Sequence, residues 1–344
     1  MSFPFITAEQ AADLVQNGNN ISFSGFTAAG TPKVVAPAIA AKAKKEHEAG
    51  RPFKINLFTG ASTNDYIDGE LARAEAVNFR TPYQSCKDTR AAVNSNIINY
   101  CDMHLSQLSQ NMRYGFFGDL DLAVIEACDV SENGEIILGP GIGNVPTFAM
   151  LAKKIVIELN EHIPSSIRGL HDIYIPNDPP RRQEIPIYKP SDRIGTPYLK
   201  VDPAKIVGIV KSNSSDHVAG FSPIDDTTMK IGENVCNFLI GELRAGRIPK
   251  EFLPLQSGVG NIANAVLHGL GESKEVPQFD MYTEVIQDAV LDLMEQGKCR
   301  FGSTCSLTFS DEDSSATLTS SKTKLLSVQV KFQITLELSA VLVL

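Results

Sequence analysis

The chain has 344 residues, of which 43% are hydrophobic and 21% are charged, as is usual for a globular protein long enough to form two domains. Its formal net charge of −9 argues against a nucleic-acid-binding surface, although local Lys and Arg side chains can still bind phosphate groups. We recognise neither a signal peptide nor an apolar run long enough to cross a bilayer, and therefore expect a cytoplasmic protein that does not insert into membranes.

The six cysteines and six histidines do not follow the spacing of a metal site. The cysteines are scattered along the chain without a Cys-x-x-Cys pair, which is typical of reduced thiols in a cytoplasmic protein. We therefore expect no metal and no permanently bound cofactor.

Helices and strands alternate in the first half of the chain. Thr7 is predicted to cap a short helix that ends near Gln16, and Thr31-Pro32 is predicted to open a longer helix that ends near Glu48. This alternation is typical of an open α/β sheet, in which ligands bind beyond the carboxyl ends of the strands. The strands are predicted from apolar runs at residues 21–25, 54–60, 121–127 and 154–159.

The middle of the chain contains two turns and a long connector. Asn133-Gly134 lies between two apolar runs and predicts a hairpin. The glycine-rich segment from Gly139 to Pro146 is equally well interpreted as a ligand-facing loop or as a turn required by packing. Residues 161–203 are rich in proline and predict a connector. A second α/β unit is predicted to begin with a strand near Lys205, followed by a helix over residues 225–245.

Two segments, residues 256–265 and 281–288, carry the predicted chemistry. Gly258 and Gly260 lie in a turn, and glycines allow backbone N–H groups to approach a ligand or a developing oxyanion. Glu284 is predicted at the head of a helix, and a carboxylate beside such donors can act as a nucleophile. A structural role remains open for both segments, because Gly-x-Gly is a weak signal and a first-turn Glu capped by Thr283 is favoured by the helix dipole.

Both segments resemble the acetyl-CoA hydrolase/transferase family, the single-chain class I CoA-transferases, and the resemblance extends from the N-terminus to about Asp313. It implies that Glu284 attacks an acyl-CoA, and that the glycine turn contacts CoA and helps to form the oxyanion hole. The turn residues to which this role is assigned are Gly258, Val259, Gly260, Asn261, Ile262 and Ala263. The resemblance also implies that coenzyme A and acyl-CoA are substrates, and that full-length relatives are homodimers.

The implied reaction is transfer of CoA from acetyl-CoA or succinyl-CoA to a small carboxylate such as acetate, through a glutamyl-CoA thioester. Two alternatives remain open: hydrolysis of acetyl-CoA, and an inactive truncated fragment that binds acyl-CoA. Glu132 is a rival nucleophile, since two-subunit class I CoA-transferases carry their catalytic Glu in a similar Ser-Glu-Asn-Gly tetrapeptide. We favour a hairpin turn at this position.

The predicted fold is α/β, with two tandem open-sheet domains of CoA-transferase type, the second incomplete. The first occupies residues 1–203 and the second begins at residue 204 and reaches residue 313. Residues 314–344 no longer resemble the family, and we interpret them as an out-of-frame tail. For a family-like segment, Ile-Arg-Pro-Ser-Glu-Ile-Ser-Asn-Asn, a set of codons can be written that gives Ser327–Thr335 when it is read one nucleotide later. By its apolar alternation alone, the segment 326–344 would predict one long strand.

Overall fold

The computed structural model describes residues 3–218, 223–310 and 330–333. The strands are β1 (Asn20–Phe23), β2 (Ile55–Ser62), β3 (Val77–Gln84), β4 (Asn99–Tyr100), β5 (Leu122–Val130), β6 (Glu135–Leu138), β7 (Lys154–Asn160), β8 (His171–Asp172), β9 (Leu199–Lys200), β10 (Ile206–Ser212), β11 (Phe279–Tyr282), β12 (Val285–Ile286), β13 (Cys299–Thr304), β14 (Ser306–Leu307) and β15 (Val330–Gln333). The α-helices are α1 (Ala8–Asp13), α2 (Val35–Glu48), α3 (Glu70–Arg73), α4 (Lys87–Asn94), α5 (Leu105–Arg113), α6 (Val145–Leu151), α7 (Asp226–Arg244), α8 (Asn261–Glu272) and α9 (Asp288–Glu295).

The first sheet is built on parallel strands in the order β10-β7-β5-β1-β2-β3-β4. β2 pairs with one edge of β1 and β5 pairs with the other, so the direction in which the sheet grows reverses at β1. Open α/β sheets bind ligands at the carboxyl ends of the strands where such a reversal occurs. Here that position is the loop of small residues after β1, from Ser24 to Gly30, together with the end of β5.

The central strands point alternate side chains into two different cores. In β5, Leu122 and Val124 pack with side chains of α1, α2 and α3, whereas Ala123 and Ile125 pack with side chains of α5 and α6. Both faces of the sheet are covered, which explains why its strands are nearly continuous apolar runs in the sequence. The second of these cores also contains Phe279 and other buried side chains of the second unit, so it is continuous between the two parts of the chain.

The first two predicted helices are present, with different ends. Thr7 caps α1 in a capping box, and α1 ends at Asp13. α2 begins at Val35 instead of directly after Thr31-Pro32. The reason is tertiary: the carboxylate of Glu158, on β7, accepts hydrogen bonds from the main-chain N–H groups of residues 33 to 35, and so takes the place of a side-chain cap.

The predicted hairpin is confirmed, and one strand assignment was wrong. β5 and β6 pair in antiparallel fashion, and Gly134 in their turn has a φ of +77°. We assigned the strand near Lys205 to the second unit. It forms β10, which pairs in parallel with β7 at the edge of the first sheet. The sequence contains an apolar strand at this point but nothing that says which sheet it joins.

The second unit also consists of parallel strands and helices. β11, β13, β15 and β8 form one sheet, and β12 pairs with β14. The open sheets and their covering helices confirm the predicted α/β class. The predicted tail, residues 314–344, lies outside the described residues except for β15, whose backbone pairs with β13 and β8.

Gly141 lies where two loops of the first unit meet. A Cβ atom at this residue would come within 2.3 Å of the main-chain oxygen of Ala29, so no larger residue fits without a shift of the backbone. We expect Gly141→Ala to lower the free energy of unfolding by about 1–3 kcal/mol, measured from urea-unfolding midpoints.

Gly241→Ala is the matched control for this prediction. Gly241 lies within α7, and a Cβ there would meet nothing within 4 Å. Its replacement by Ala should raise the free energy of unfolding by about 0.5–1 kcal/mol, because glycine is disfavoured inside helices. Equal effects of the two substitutions would contradict the close packing at Gly141.

Candidate functional site

Glu284 lies between two strands and not in a helix. It follows β11 and precedes β12, and the next helix, α9, begins four residues later at Asp288. The prediction that Glu284 stands at the head of a helix capped by Thr283 was therefore wrong. The Thr283 hydroxyl bonds instead to the segment before the glycine turn, at the carboxamide oxygen of Gln256 (2.8 Å) and the main-chain oxygen of Ser257 (3.0 Å).

Both main-chain polar groups of Glu284 are hydrogen-bonded. Its N–H donates to the carboxamide oxygen of Gln256 at 3.1 Å. Its carbonyl oxygen accepts from the hydroxyl of Thr304 at 2.9 Å, and from the N–H (3.2 Å) and thiol (3.0 Å) of Cys305. The peptide groups on both sides of the Glu284 side chain are therefore held in place by neighbouring segments.

The side chain of Glu284 is partly buried. Burial raises the pKa of its carboxyl group above the ordinary value of 4.5, and among the described residues no cation offsets this loss of water. Burial also raises the pKa of the neighbouring Cys305 thiol, well above 9.0, and the charge of Glu284 adds to that effect. The pair therefore consists of an ionisable carboxyl group beside a thiol that stays neutral.

The glycine turn lies against the Glu284 segment. The Ser257 N–H donates to the Thr283 hydroxyl at 3.2 Å, and the Gln287 side chain donates to the main-chain oxygen of Gly258 at 3.3 Å. A Cβ atom at Gly258 or Gly260 would meet nothing within 4 Å, so the main chain is open on this side. The two segments that the sequence singled out are thus joined by direct hydrogen bonds.

The turn leads directly into α8. Gly260 has a φ of +123°, which favours glycine, and Asn261 is the first residue of the helix. The N–H groups at a helix start have no acceptor within the helix, so this end of α8 favours an anion or an oxyanion. Val259 and Ile262 are about half exposed beside it, and Ala263 follows in the first turn of α8.

Two loops of the first unit pack against residues 305–307, which lie next to Glu284. Main-chain hydrogen bonds join Ile142 to Cys305 (3.0 Å) and Leu307 to Pro140 (2.9 Å). The hydroxyl of Ser306 donates to the main-chain oxygen of Phe26 at 3.2 Å. The loop after β1, which the sheet reversal marks as a ligand-binding position, therefore contacts β14, the strand that pairs with β12 next to Glu284.

Sequence reasoning missed these contacts between the first unit and residues 305–308. Thr27 and Thr308 share a hydrogen bond of 2.9 Å although 281 positions separate them in the chain. The small-residue loop after β1 was the available signal, but the sequence does not say what packs on it. The Gly139–Pro146 segment is buried and packs against this loop and against Cys305, which supports the packing role. Glu132 is exposed on the hairpin turn between β5 and β6.

A buried charge cluster lies at the carboxyl ends of β5 and β7. The ammonium group of Lys33 pairs with the carboxylate of Glu126 and with that of Asp216, the latter at 2.7 Å. Burial raises the pKa of Glu126 to about 8, against the opposing effect of Lys33. One side-chain oxygen of Glu126 is buried without a hydrogen bond, and a Cβ atom at Gly139 would come within 2.8 Å of it. This cluster joins the segment after β1, which contains Lys33, to β5 and to the segment after β10, which contains Asp216.

Metal-ligating side chains converge at one place in the described residues, formed by Asp65, Cys86 and Asp88. Arg73 already pairs with both of these aspartates, so the group is an ion-pair network on the surface. All six cysteines are free thiols. No helix within residues 3–218 or 223–310 combines the length and apolar character needed to cross a membrane.

Known proteins match most of this chain. Residues 3–211 match the model of the acetyl-CoA hydrolase/transferase N-terminal domain. Propanoyl-CoA:succinate CoA transferase of Escherichia coli K12 is 46% identical over 305 residues, which are 89% of this chain and 62% of that protein. Succinyl-CoA:acetate CoA-transferase of Clostridium kluyveri is 42% identical (89% and 56% covered), and acetyl-CoA hydrolase of Yarrowia lipolytica is 40% identical (89% and 60%). The chain therefore spans about three fifths of the length of these relatives.

Solved structures agree in fold. RipA from Yersinia pestis superposes with a TM-score of 0.63 at 15% identity, covering 90% of this chain and 64% of RipA. A 4-hydroxybutyrate CoA-transferase from Porphyromonas gingivalis gives a TM-score of 0.56 at 19% identity, covering 90% of this chain and 63% of that enzyme. These likenesses confirm the two-part open-sheet architecture.

The partial burial of Glu284 predicts a pH-dependent gain of stability on its replacement. Its pKa is higher in the folded than in the unfolded chain, so the unfolded state ionises first and stability falls as the pH rises from 4.5 through the folded pKa. Glu284→Gln removes this cost. We expect it to raise the melting temperature at pH 8 and to leave it nearly unchanged at pH 4.

Glu132→Gln is the control, because Glu132 is exposed on the hairpin turn and substitutions at exposed positions usually change stability little. It should change the melting temperature little at either pH. A melting temperature of Glu284→Gln below that of the native chain at pH 8 would show that the carboxylate is stabilised by its surroundings, contrary to the burial argument.

Proposed function

This chain belongs to the acetyl-CoA hydrolase/transferase family, and on that premise we propose that it transfers CoA between a short-chain acyl-CoA, such as acetyl- or succinyl-CoA, and a small carboxylate such as acetate. Glu284 is the proposed nucleophile, and the Gly258–Ala263 turn is the proposed oxyanion and CoA site. Acyl-CoA and the carboxylate are substrates, and no permanently bound cofactor is needed.

One observation carries the proposal: a partly buried carboxyl group with a raised pKa belongs to a segment whose neighbouring residues, Thr283 and Gln287, bond to a turn with an open main chain. A carboxylate that has lost part of its water is a stronger nucleophile than one in bulk solvent. The open N–H groups near Val259 and Gly260 supply donors for the oxyanion that develops on attack.

The reaction balances as four acyl transfers. The Glu284 carboxylate attacks the acyl thioester, a C–O bond forms, the C–S bond breaks, and CoA leaves as the thiolate. The thiolate then attacks the glutamyl carbonyl of the mixed anhydride, which gives a Glu284–CoA thioester and releases the first acid. A second carboxylate attacks this thioester, and the released thiolate then attacks the acyl carbon of the new anhydride. The new acyl-CoA leaves and Glu284 is regenerated.

Hydrolysis is the second candidate, because the relatives include enzymes named acetyl-CoA hydrolase as well as CoA-transferases. Both reactions share the glutamyl intermediate and differ in what attacks it: a second carboxylate takes over CoA and leaves as the new acyl-CoA, whereas water releases free CoA and the acid. Release of CoA from acetyl-CoA, measured with and without a second carboxylate, separates them. Release that needs no acceptor acid supports hydrolysis.

Further expectations stay proposals. A homodimer is proposed from the family resemblance, and a cytoplasmic location from the cysteine pattern and the lack of a recognised signal peptide. The second unit is proposed to reach residue 313, but it begins after β10, because β10 belongs to the first sheet. The out-of-frame interpretation of residues 314–344 is tested by the coding DNA, in which the other reading frame must continue the family sequence. The third candidate, a fragment that binds acyl-CoA without reacting, predicts a rise in melting temperature with acetyl-CoA but no modification of Glu284.

Replacement of the nucleophile provides the main test. Glu284→Gln should lower CoA transfer on the order of a thousandfold or more, because the amide cannot attack the thioester. In the native chain, acetyl-CoA followed by borohydride or hydroxylamine should modify Glu284, detected by peptide mass spectrometry. Glu132→Gln should leave both results unchanged. Turnover that survives in Glu284→Gln would rule out the mechanism.

The oxyanion donors are tested at Val259. Val259→Pro removes one main-chain N–H group and should lower the rate of acyl transfer by about 100–1000-fold, the usual effect of losing one oxyanion donor. Val259→Ala keeps the N–H group and trims an exposed side chain. It should lower the rate far less, and equal losses in the two variants, at equal melting temperature, would contradict the assigned role.

A further inference from the structure

We propose that Gln256 is a positioning residue, whose side chain sets the distance between the glycine turn and Glu284. This proposal rests on the proposed function of Glu284 as the nucleophile. It adds a residue that lies outside the Gly258–Ala263 turn and does not itself react. Gln256 precedes the turn by two positions in the chain and reaches across to the Glu284 segment.

The chemistry of the contacts fixes which atom of Gln256 faces Glu284. The main-chain N–H of Glu284 can only donate, so the atom 3.1 Å from it must be the carboxamide oxygen. The same oxygen lies 2.8 Å from the hydroxyl of Thr283, whose single proton is shared with the main-chain oxygens of Ser257 (3.0 Å) and Val285 (3.3 Å). The Glu284 N–H is therefore the undivided donor to Gln256, and this bond orients the peptide that precedes the nucleophile.

The peptide that follows Glu284 is held separately. The Thr304 hydroxyl and the Cys305 N–H both approach its carbonyl oxygen, at 2.9 and 3.2 Å. The Thr304 hydroxyl also lies 2.9 Å from the main-chain oxygen of Ser306, so its one proton is shared between two acceptors. Of the two restraints on Glu284, the one that Gln256 makes is the one that connects directly to the glycine turn.

The consequence is a fixed frame for the reacting atoms. The Ser257 N–H and the Thr283 hydroxyl make a further link at 3.2 Å, so the turn and the nucleophile share a short chain of hydrogen bonds. With the backbone fixed on both sides, only the side-chain torsions of Glu284 remain to direct its carboxylate. A displacement of about 1 Å can lower the rate of a chemical step on the order of a hundredfold.

The exposure of Gln256 makes the idea testable. Gln256 is an exposed residue outside the core, so its replacement removes a restraint without creating a cavity. Gln256→Met keeps the length of the side chain and loses the acceptor. We expect the rate of Glu284 modification at saturating acetyl-CoA to fall about tenfold, with little change in the concentration that gives half the maximal rate.

Gln278→Met is the matched control. Gln278 donates to the main-chain oxygen of Gly297 at 2.7 Å just before β11, and it does not contact Glu284. The same change of side chain there should leave the rate of Glu284 modification as it is in the native chain. A loss of structure alone would lower the modified fraction in either variant, whereas loss of positioning slows the reaction while the final fraction stays complete.

Amide hydrogen exchange gives a readout that does not depend on activity. The Glu284 N–H should exchange several-fold faster in Gln256→Met, while the Cys305 N–H, bonded to the other side of Glu284, should keep its native rate. An unchanged Glu284 exchange rate, or an unchanged rate of modification, would overturn the proposal. A native chain in which acetyl-CoA modifies no Glu284 would instead overturn the proposed function, and with it any catalytic consequence of Gln256.

Discussion

The docking of one short strand on two glycine-rich loops is the constraint on which the site depends. β12, which comes directly after Glu284, pairs with β14. The N–H of Leu307 in β14 donates to the main-chain oxygen of Pro140, and the main-chain oxygen of Cys305, just before β14, accepts from Ile142. The two loops themselves meet only because Gly141 has no side chain, since a Cβ atom there would lie 2.3 Å from the main-chain oxygen of Ala29. Main-chain contacts thus hold the β14 segment on the first unit, and the side chains of Gln256 and Thr304 hold Glu284 beside it.

Buried charged residues also hold the loops of the first unit in place. Glu158 satisfies the N–H groups at the start of α2, and Lys33 draws Glu126 and Asp216 together where the sheet changes direction. Buried charges are costly unless they are paired, so these contacts hold the loops of the first unit in one arrangement. Glu126 lies beneath Gly139, in the loop to which β14 bonds through Pro140, and none of these charged residues contacts Glu284 directly.

The sequence predicts the first unit better than the site. Fully covered parallel strands are nearly continuous apolar runs, so the strands around β1, β5 and β7 could be located from composition alone. The sequence predicted Glu284 at the head of a helix, because Thr-Glu before an apolar run is also typical of a helix start. Pairing of β12 with β14 overrides that local preference, and such pairing depends on residues about twenty positions away. Contacts such as Thr27 with Thr308 join distant parts of the chain, and local patterns carry no information about them.

Glu284 and Cys305 are neighbouring nucleophilic side chains, and their different burial determines which of them can attack a thioester. The Cys305 thiol is almost completely buried, its pKa is raised well above 9.0, and its proton is directed to the main-chain oxygen of Glu284. A neutral thiol is a poor nucleophile, because the thiolate is the reactive form. Glu284 is more exposed, and the pKa of its carboxyl group is raised only by partial loss of water. Burial thus keeps the sulfur as a hydrogen-bond donor and leaves the oxygen as the group able to attack a thioester.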